Sequence, residues 1–129
     1  MIPPKHFSFL EGLGHDIPFE ALENAEWNEK LINVQSMVNG YWVKFIVKNN
    51  SDSNLIGINH NWNMEKKIFV KNSLGLKEYA YWKFRENSFL GQDHIGAQYR
   101  VLMPQNENTV IYDFFRSKPF DRYYAMVNG

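Results

Sequence analysis

The chain has 129 residues, 44% of them hydrophobic and 22% charged, with 14 Lys and Arg against 14 Asp and Glu. This is the length of one domain and the composition of a folded one; intrinsic disorder is excluded, and zero net charge supplies no basic field for a nucleic acid. The absence of cysteine excludes disulfides, thiolate nucleophiles and cysteine-held metals, and no apolar run reaches the roughly 18 residues that a membrane-crossing helix needs.

Residues 1–5 carry no signal-peptide character, and the first forty residues read as irregular. Within them residues 18–26 predict a short helical turn: Pro18 suits its start, and Phe19 and Leu22 share a face. From Tyr41 the pattern changes to short runs of period two. Residues 41–48 place Val43, Phe45 and Val47 on one face and Trp42, Lys44, Ile46 and Lys48 on the other. Residues 49–54 are rich in Asn, Ser and Asp, and predict a tight polar turn between two adjacent antiparallel strands. Further strands are expected at residues 55–58, 67–71, 77–84, 98–103, 109–115 and 122–127, with turns at 72–75 and 105–108. Six to eight short strands with hardly any helix predict an all-β fold, an antiparallel β-sandwich with Val43, Phe45, Val47, Phe69, Val101 and Ile111 in its core.

The chemistry-bearing residues favour binding over catalysis. His6, His15, His60 and His94 show no metal-ligand spacing, no carboxylate pair stands out, and no serine has a nucleophile-elbow setting. No catalytic residue, cofactor or metal is therefore expected. The aromatics, 16% of the chain, are the strongest signal. Trp42 lies on the strand face opposite Val43 and Phe45, next to Lys44. That pair is either a ligand platform or is covered by the N-terminal segment, with Trp42 packed beneath it and the Lys44 stem across the ring. Trp62 sits among Asn59, His60, Asn61 and Asn63, a polar loop with one large ring. Trp rings beside amides and hydroxyls suit sugar recognition, and the expected ligand-binding set is Trp42, Lys44, Asn61, Trp62 and Tyr99.

The segment from Tyr41 to Asp52 (Tyr41, Trp42, Val43, Lys44 and Phe45, then Asn50, Ser51 and Asp52) resembles a bacterial sensor module: the extracellular domain, type 2, of seven-transmembrane receptors with diverse intracellular signalling modules. The resemblance extends over nearly the whole chain. It takes in Phe9 to Gly12, Ile17 to Leu22, Asn33 to Trp42, Lys66 to Asn72, Tyr99 to Pro104 and Asn108 to Tyr112. Two positions depart from it. Lys44 stands where the family usually has Arg, and Gln98 or Tyr99 stands near a second such position; Lys cannot reproduce the bidentate fork of Arg.

The resemblance implies a jelly-roll β-sandwich similar to carbohydrate-binding modules, with residues 1–129 forming one extracytoplasmic sensor domain excised from a larger membrane receptor and carrying an added Met1. It implies a periplasmic or extracellular location at the bacterial inner membrane, with contact to the membrane only through the receptor's transmembrane part. The implied function is ligand sensing in signal transduction, the ligand a carbohydrate or another small polar molecule. Two alternatives stand beside it: a protein-interaction or homodimerisation module of the receptor, and a small glycan-active enzyme.

Overall fold

The structure, a computed structural model, describes residues 6–30, 39–60, 65–82, 97–116 and 125–128. These residues form eight strands and one helical turn: β1 (Ser8–Leu10), α1 (Phe19–Glu23), β2 (Tyr41–Lys48), β3 (Leu55–His60), β4 (Glu65–Asn72), β5 (Gly75–Trp82), β6 (Ala97–Leu102), β7 (Asn108–Arg116) and β8 (Ala125–Asn128). The class is all-β, as the alternating runs predict. Every strand pairing is antiparallel, in a five-stranded sheet of order β1-β2-β7-β4-β5 and a three-stranded sheet of order β6-β3-β8.

One buried cluster draws on both sheets. Tyr41, Val43, Phe45 and Val47 of β2, Ile68 and Val70 of β4 and Ile111 and Phe115 of β7 meet Ile56 and Ile58 of β3 and Val101 of β6. Five of the six expected core residues are here. The sixth, Phe69, is equally buried but points to the opposite face of the five-stranded sheet, as alternation from Ile68 and Val70 requires. There it belongs to a second cluster with Leu10, Trp42, Tyr112, Phe114, Phe19 and Leu22. The five-stranded sheet is therefore covered on both faces, which is why the central β7 is buried continuously from Ile111 to Phe115 instead of at alternate positions.

The N-terminal segment forms the second cover. It begins as the edge strand β1 on β2, with Phe9 opposite Val43. It then crosses the sheet face, where Phe19 and Leu22 of α1 are buried. It returns to the edge at Asn28, whose N–H and C=O bond Phe9 at 2.9 and 2.7 Å. A helical turn of five residues is far too short to persist by itself, so these two buried side chains hold it in place.

Residues 49–54 correct an expectation. They are polar and irregular as predicted, yet β2 and β3 do not pair with each other: the segment carries the chain from one sheet to the other. Asn49, 2% exposed, organises this crossing. Its Nδ2 donates to the carbonyls of Ser53 and Met103, both at 2.7 Å, while its Oδ1 accepts from the Ser51 N–H and hydroxyl. Its backbone bonds Glu107 and Asn106 of the β6–β7 connection. The side chain thus ties two connections at one end of the molecule.

Candidate functional site

Burial along the outer face of β2 is graded. Trp42 is 0% exposed, Lys44 is half-buried and Ile46 is 56% exposed. The three share one face because they alternate along one strand, so the gradient marks where the N-terminal cover stops.

Trp42 is under the cover. Its ring stacks on Phe69 at 5.8 Å and meets Phe114 edge-on at 5.3 Å, and its indole N–H donates to the Gly14 carbonyl at 3.0 Å. The expectation that it presents a platform to ligand is corrected: a Trp facing away from the inter-sheet core is here a core residue of the second cluster.

Lys44 is different. Its row across the sheet runs from Ser8 through Lys44 and Tyr112 to Phe69. The ammonium lies 5.6 Å from the Trp27 ring centre and 5.7 Å from that of Tyr112, so two aromatic faces attract the cation. The rings it meets are thus not Trp42. Among the described residues it has no acidic partner. Trp27 is held over this spot by its own N–H, which donates to the Leu22 carbonyl at 3.0 Å, and by a tilted contact with Tyr112 at 5.8 Å.

Tyr112 is the floor of the site. It is 4% exposed, flanked edge-on by Phe19 at 5.1 Å, and its hydroxyl makes no hydrogen bond among the described residues. Burial raises its phenol above the ordinary value of 10.0; Glu23 adds to the rise and Lys71 opposes it. Lys71 is one row further along the sheet, beside Val110 and with Ile46 on the far side of β7. It pairs with Glu23 of α1, and that hydrogen bond raises the lysine's own pKa against a smaller desolvation effect. The Ile46–Val110 row beyond the cover leaves apolar surface open, with Leu76 opposite Lys71, 46% exposed.

Of the five expected ligand residues, the three that lie among the described residues are not brought together. Trp42 is buried in the second cluster and Lys44 stands at the cover's edge. Tyr99 is in β6, opposite Ile58, in the other sheet, whereas Lys44 faces away from that sheet. Asn61 and Trp62 lie outside the described residues. The residues that do join Lys44, Trp27 and Tyr112, stand in the sequence as two aromatics among many. Alternation along residues 109–115 puts Tyr112 and Phe114 on one face, but nothing local joins Trp27 to them. Among the described residues, no group of three or more His, Asp or Glu is placed to hold a metal. No helix in the described residues is long and apolar enough to cross a membrane.

Comparison of the chain with known protein families, curated proteins and solved structures finds no match.

Proposed function

We propose that this chain is a non-enzymatic sensor domain that binds a small polar ligand outside a bacterial inner membrane, as part of a signalling receptor, and that its two sheets form a jelly-roll sandwich. The pairings β2 with β7, β3 with β6 and β4 with β5 support the fold reading. They are those of one long antiparallel hairpin folded over on itself, which is how a jelly roll alternates its strands between two sheets. The resemblance of the Tyr41 to Asp52 segment to receptor sensor modules supports the role.

The observation that carries the binding reading is the seam at Lys44. A ligand there touches the sheet through Lys44 and Tyr112 and the cover through Trp27. It would therefore bind more tightly when the cover is seated than when it is displaced, and a sensor needs such a difference in affinity between two states. A thermal-shift panel of neutral and acidic mono- and oligosaccharides tests the reading. A ligand at about one hundred times its Kd adds roughly 2.7 kcal/mol, a clear rise in Tm. Absence of a rise across the panel, at millimolar concentration, removes sugars and their acids as ligands.

One observation favours the interaction-module reading. Leu55 and Leu102 are direct cross-strand partners in the three-stranded sheet, and both are more than two-fifths exposed, at 43% and 44%. Concentration-dependent sedimentation that is abolished by Leu102→Lys would support a homodimer through that face.

A further inference from the structure

We propose that the seam is a carboxylate site: Lys44 and the Tyr112 hydroxyl receive the two oxygens of a monoanionic ligand, and the Ile46–Val110 row lies under its apolar or ring-shaped body. The proposal rests on the ligand-sensing reading and adds the chemical class of the ligand.

Three observations on one patch support it. Lys44 is a half-buried cation held by two rings with no acidic partner among the described residues, so its charge is oriented but not neutralised. Tyr112 is a polar side chain more than nine-tenths buried whose hydroxyl has no hydrogen bond there. The hydroxyl is not sealed from solvent, so a ligand oxygen can reach it in place of water. The phenol, raised by burial, is a donor at neutral pH. Lys44 and Tyr112 are direct cross-strand partners, and a cation beside a hydroxyl donor suits a carboxylate.

The charge balance selects a monoanion. Lys71, the second cation near Tyr112, is already matched by Glu23, which leaves Lys44 as the unmatched charge. A dianion such as phosphate would meet one free cation and the Glu23 carboxylate together. Next along the strand, Ile46 and Val110 are direct partners and the first is 56% exposed. Such a strip suits the C–H face of a sugar ring or a short alkyl chain. The acid has two natural sources, a sugar acid or an alkyl carboxylate, and both present the same head to Lys44 and Tyr112.

Calorimetric titration of the 129-residue chain at low salt separates the outcomes, with D-glucuronate and hexanoate as acids and D-glucose and hexanol as their neutral counterparts. We expect at least one acid to bind about tenfold or more tightly than its neutral counterpart, the effect of one charged hydrogen bond. Lys44→Gln should reduce the acid to the affinity of the neutral molecule, and Tyr112→Phe should weaken it several-fold. Glu23→Gln should tighten it, a gain that a fold defect does not produce. The better acid then identifies the body. Equal binding of glucuronate and glucose, both untouched by Lys44→Gln, would overturn the carboxylate site and leave the sensor reading standing. Acid binding that survives both Lys44→Gln and Tyr112→Phe would place the anion elsewhere and overturn it too. Failure of all four probes to bind overturns the proposal, and the thermal-shift panel then decides the sensor reading separately.

Discussion

On one face of the five-stranded sheet, Val43, Phe45, Ile68, Val70 and Ile111 meet Ile56, Ile58 and Val101 of the other sheet; on the opposite face, Trp42, Phe69, Tyr112 and Phe114 meet Phe19 and Leu22 of the N-terminal segment. The first interface is largely aliphatic, and its backbone is satisfied by strand ladders on both sides. The second is aromatic, and its cover is irregular chain. The composition follows from the task. A sheet supplies a dense lattice of small branched contacts, whereas an irregular segment touches at few points, so each must bury a large area, about 150–250 Å² for an aromatic ring. Irregular chain also has carbonyls that no ladder satisfies. The Trp42 and Trp27 indoles donate to two of them, at Gly14 and Leu22. A cover fixed at points stops where the points stop, and Lys44 and Ile46 lie at that limit.

The comparison breaks most visibly at Trp42. Trp42→Ala and Phe45→Ala should each cost about 3–5 kcal/mol in urea denaturation, because both rings are fully buried, one on each face. Hydrogen exchange distinguishes them: loss of Trp42 should raise exchange in residues 13–25 ahead of the inter-sheet strands, whereas loss of Phe45, which packs on Phe7, should act on the inter-sheet strands and the start of the chain first. A cost below about 1 kcal/mol for Trp42→Ala, the range of surface changes, would mean that the cover does not hold the sheet.

Gly40 tests the same face from its end. It precedes β2 with φ +99°, a conformation that L residues avoid, and a Cβ there would run into the tip of the Phe114 ring. Phe114 packs against Trp42, so it has little room to yield. Gly40→Ala should lower stability by about 2–3 kcal/mol through strain and overlap together. A thermal melt checks it, and an unchanged Tm would show the second cluster to be loosely packed.

Asn49 tests the inter-sheet side. Asn49→Ala leaves the buried Met103 carbonyl without its amide donor and removes one donor from the Ser53 carbonyl, at about 1–3 kcal/mol. The loss should appear as a lower urea midpoint with exchange raised at residues 49–54 and 103–107, and the cover unaffected.

How much of this was legible follows the same division. The inter-sheet face could be read because Val43, Phe45 and Val47 alternate, and period two is a local property of the chain. The same alternation set Trp42 and Lys44 on the other face but did not say what lies over them: residues 6–30 have no period, and β1 is only three residues long. Residues 49–54 showed a bend through their Asn and Ser content, since such side chains bond their own backbone. They could not show its destination, because turn chemistry fixes where a chain bends and not which strand it then joins. Tyr99 shows the same limit: its strand was legible, and the sheet to which it belongs is decided by non-local pairing with β3. At the candidate site, Lys44 was visible as an off-face cation, whereas Trp27 and Tyr112 reach it from the cover and from the neighbouring strand.

The smallest effect sharpens the boundary between covered and open sheet. Burial is the main reason that the Tyr112 phenol sits above its ordinary value of 10.0, with Glu23 adding and Lys71 opposing. Its folded pKa thus exceeds its unfolded one. Below about pH 10 the phenol is neutral in both states and stability does not depend on it; above that, the unfolded chain releases the proton first, and stability falls as pH rises through the folded value. Lys71 acts in the same direction, because its hydrogen bond to Glu23 raises its pKa and the pair is lost as the ammonium deprotonates. Urea midpoints from about pH 9 to about pH 11 should therefore fall less steeply in Tyr112→Phe than in the parent chain. Lys71→Met removes its own titration and a charge that opposes the rise at Tyr112, so the further change in slope when Tyr112→Phe is added to it reports Tyr112. Parallel slopes for the parent and Tyr112→Phe would mean that water reaches the phenol freely and that the cover ends before Tyr112, on the Trp42 side of the seam.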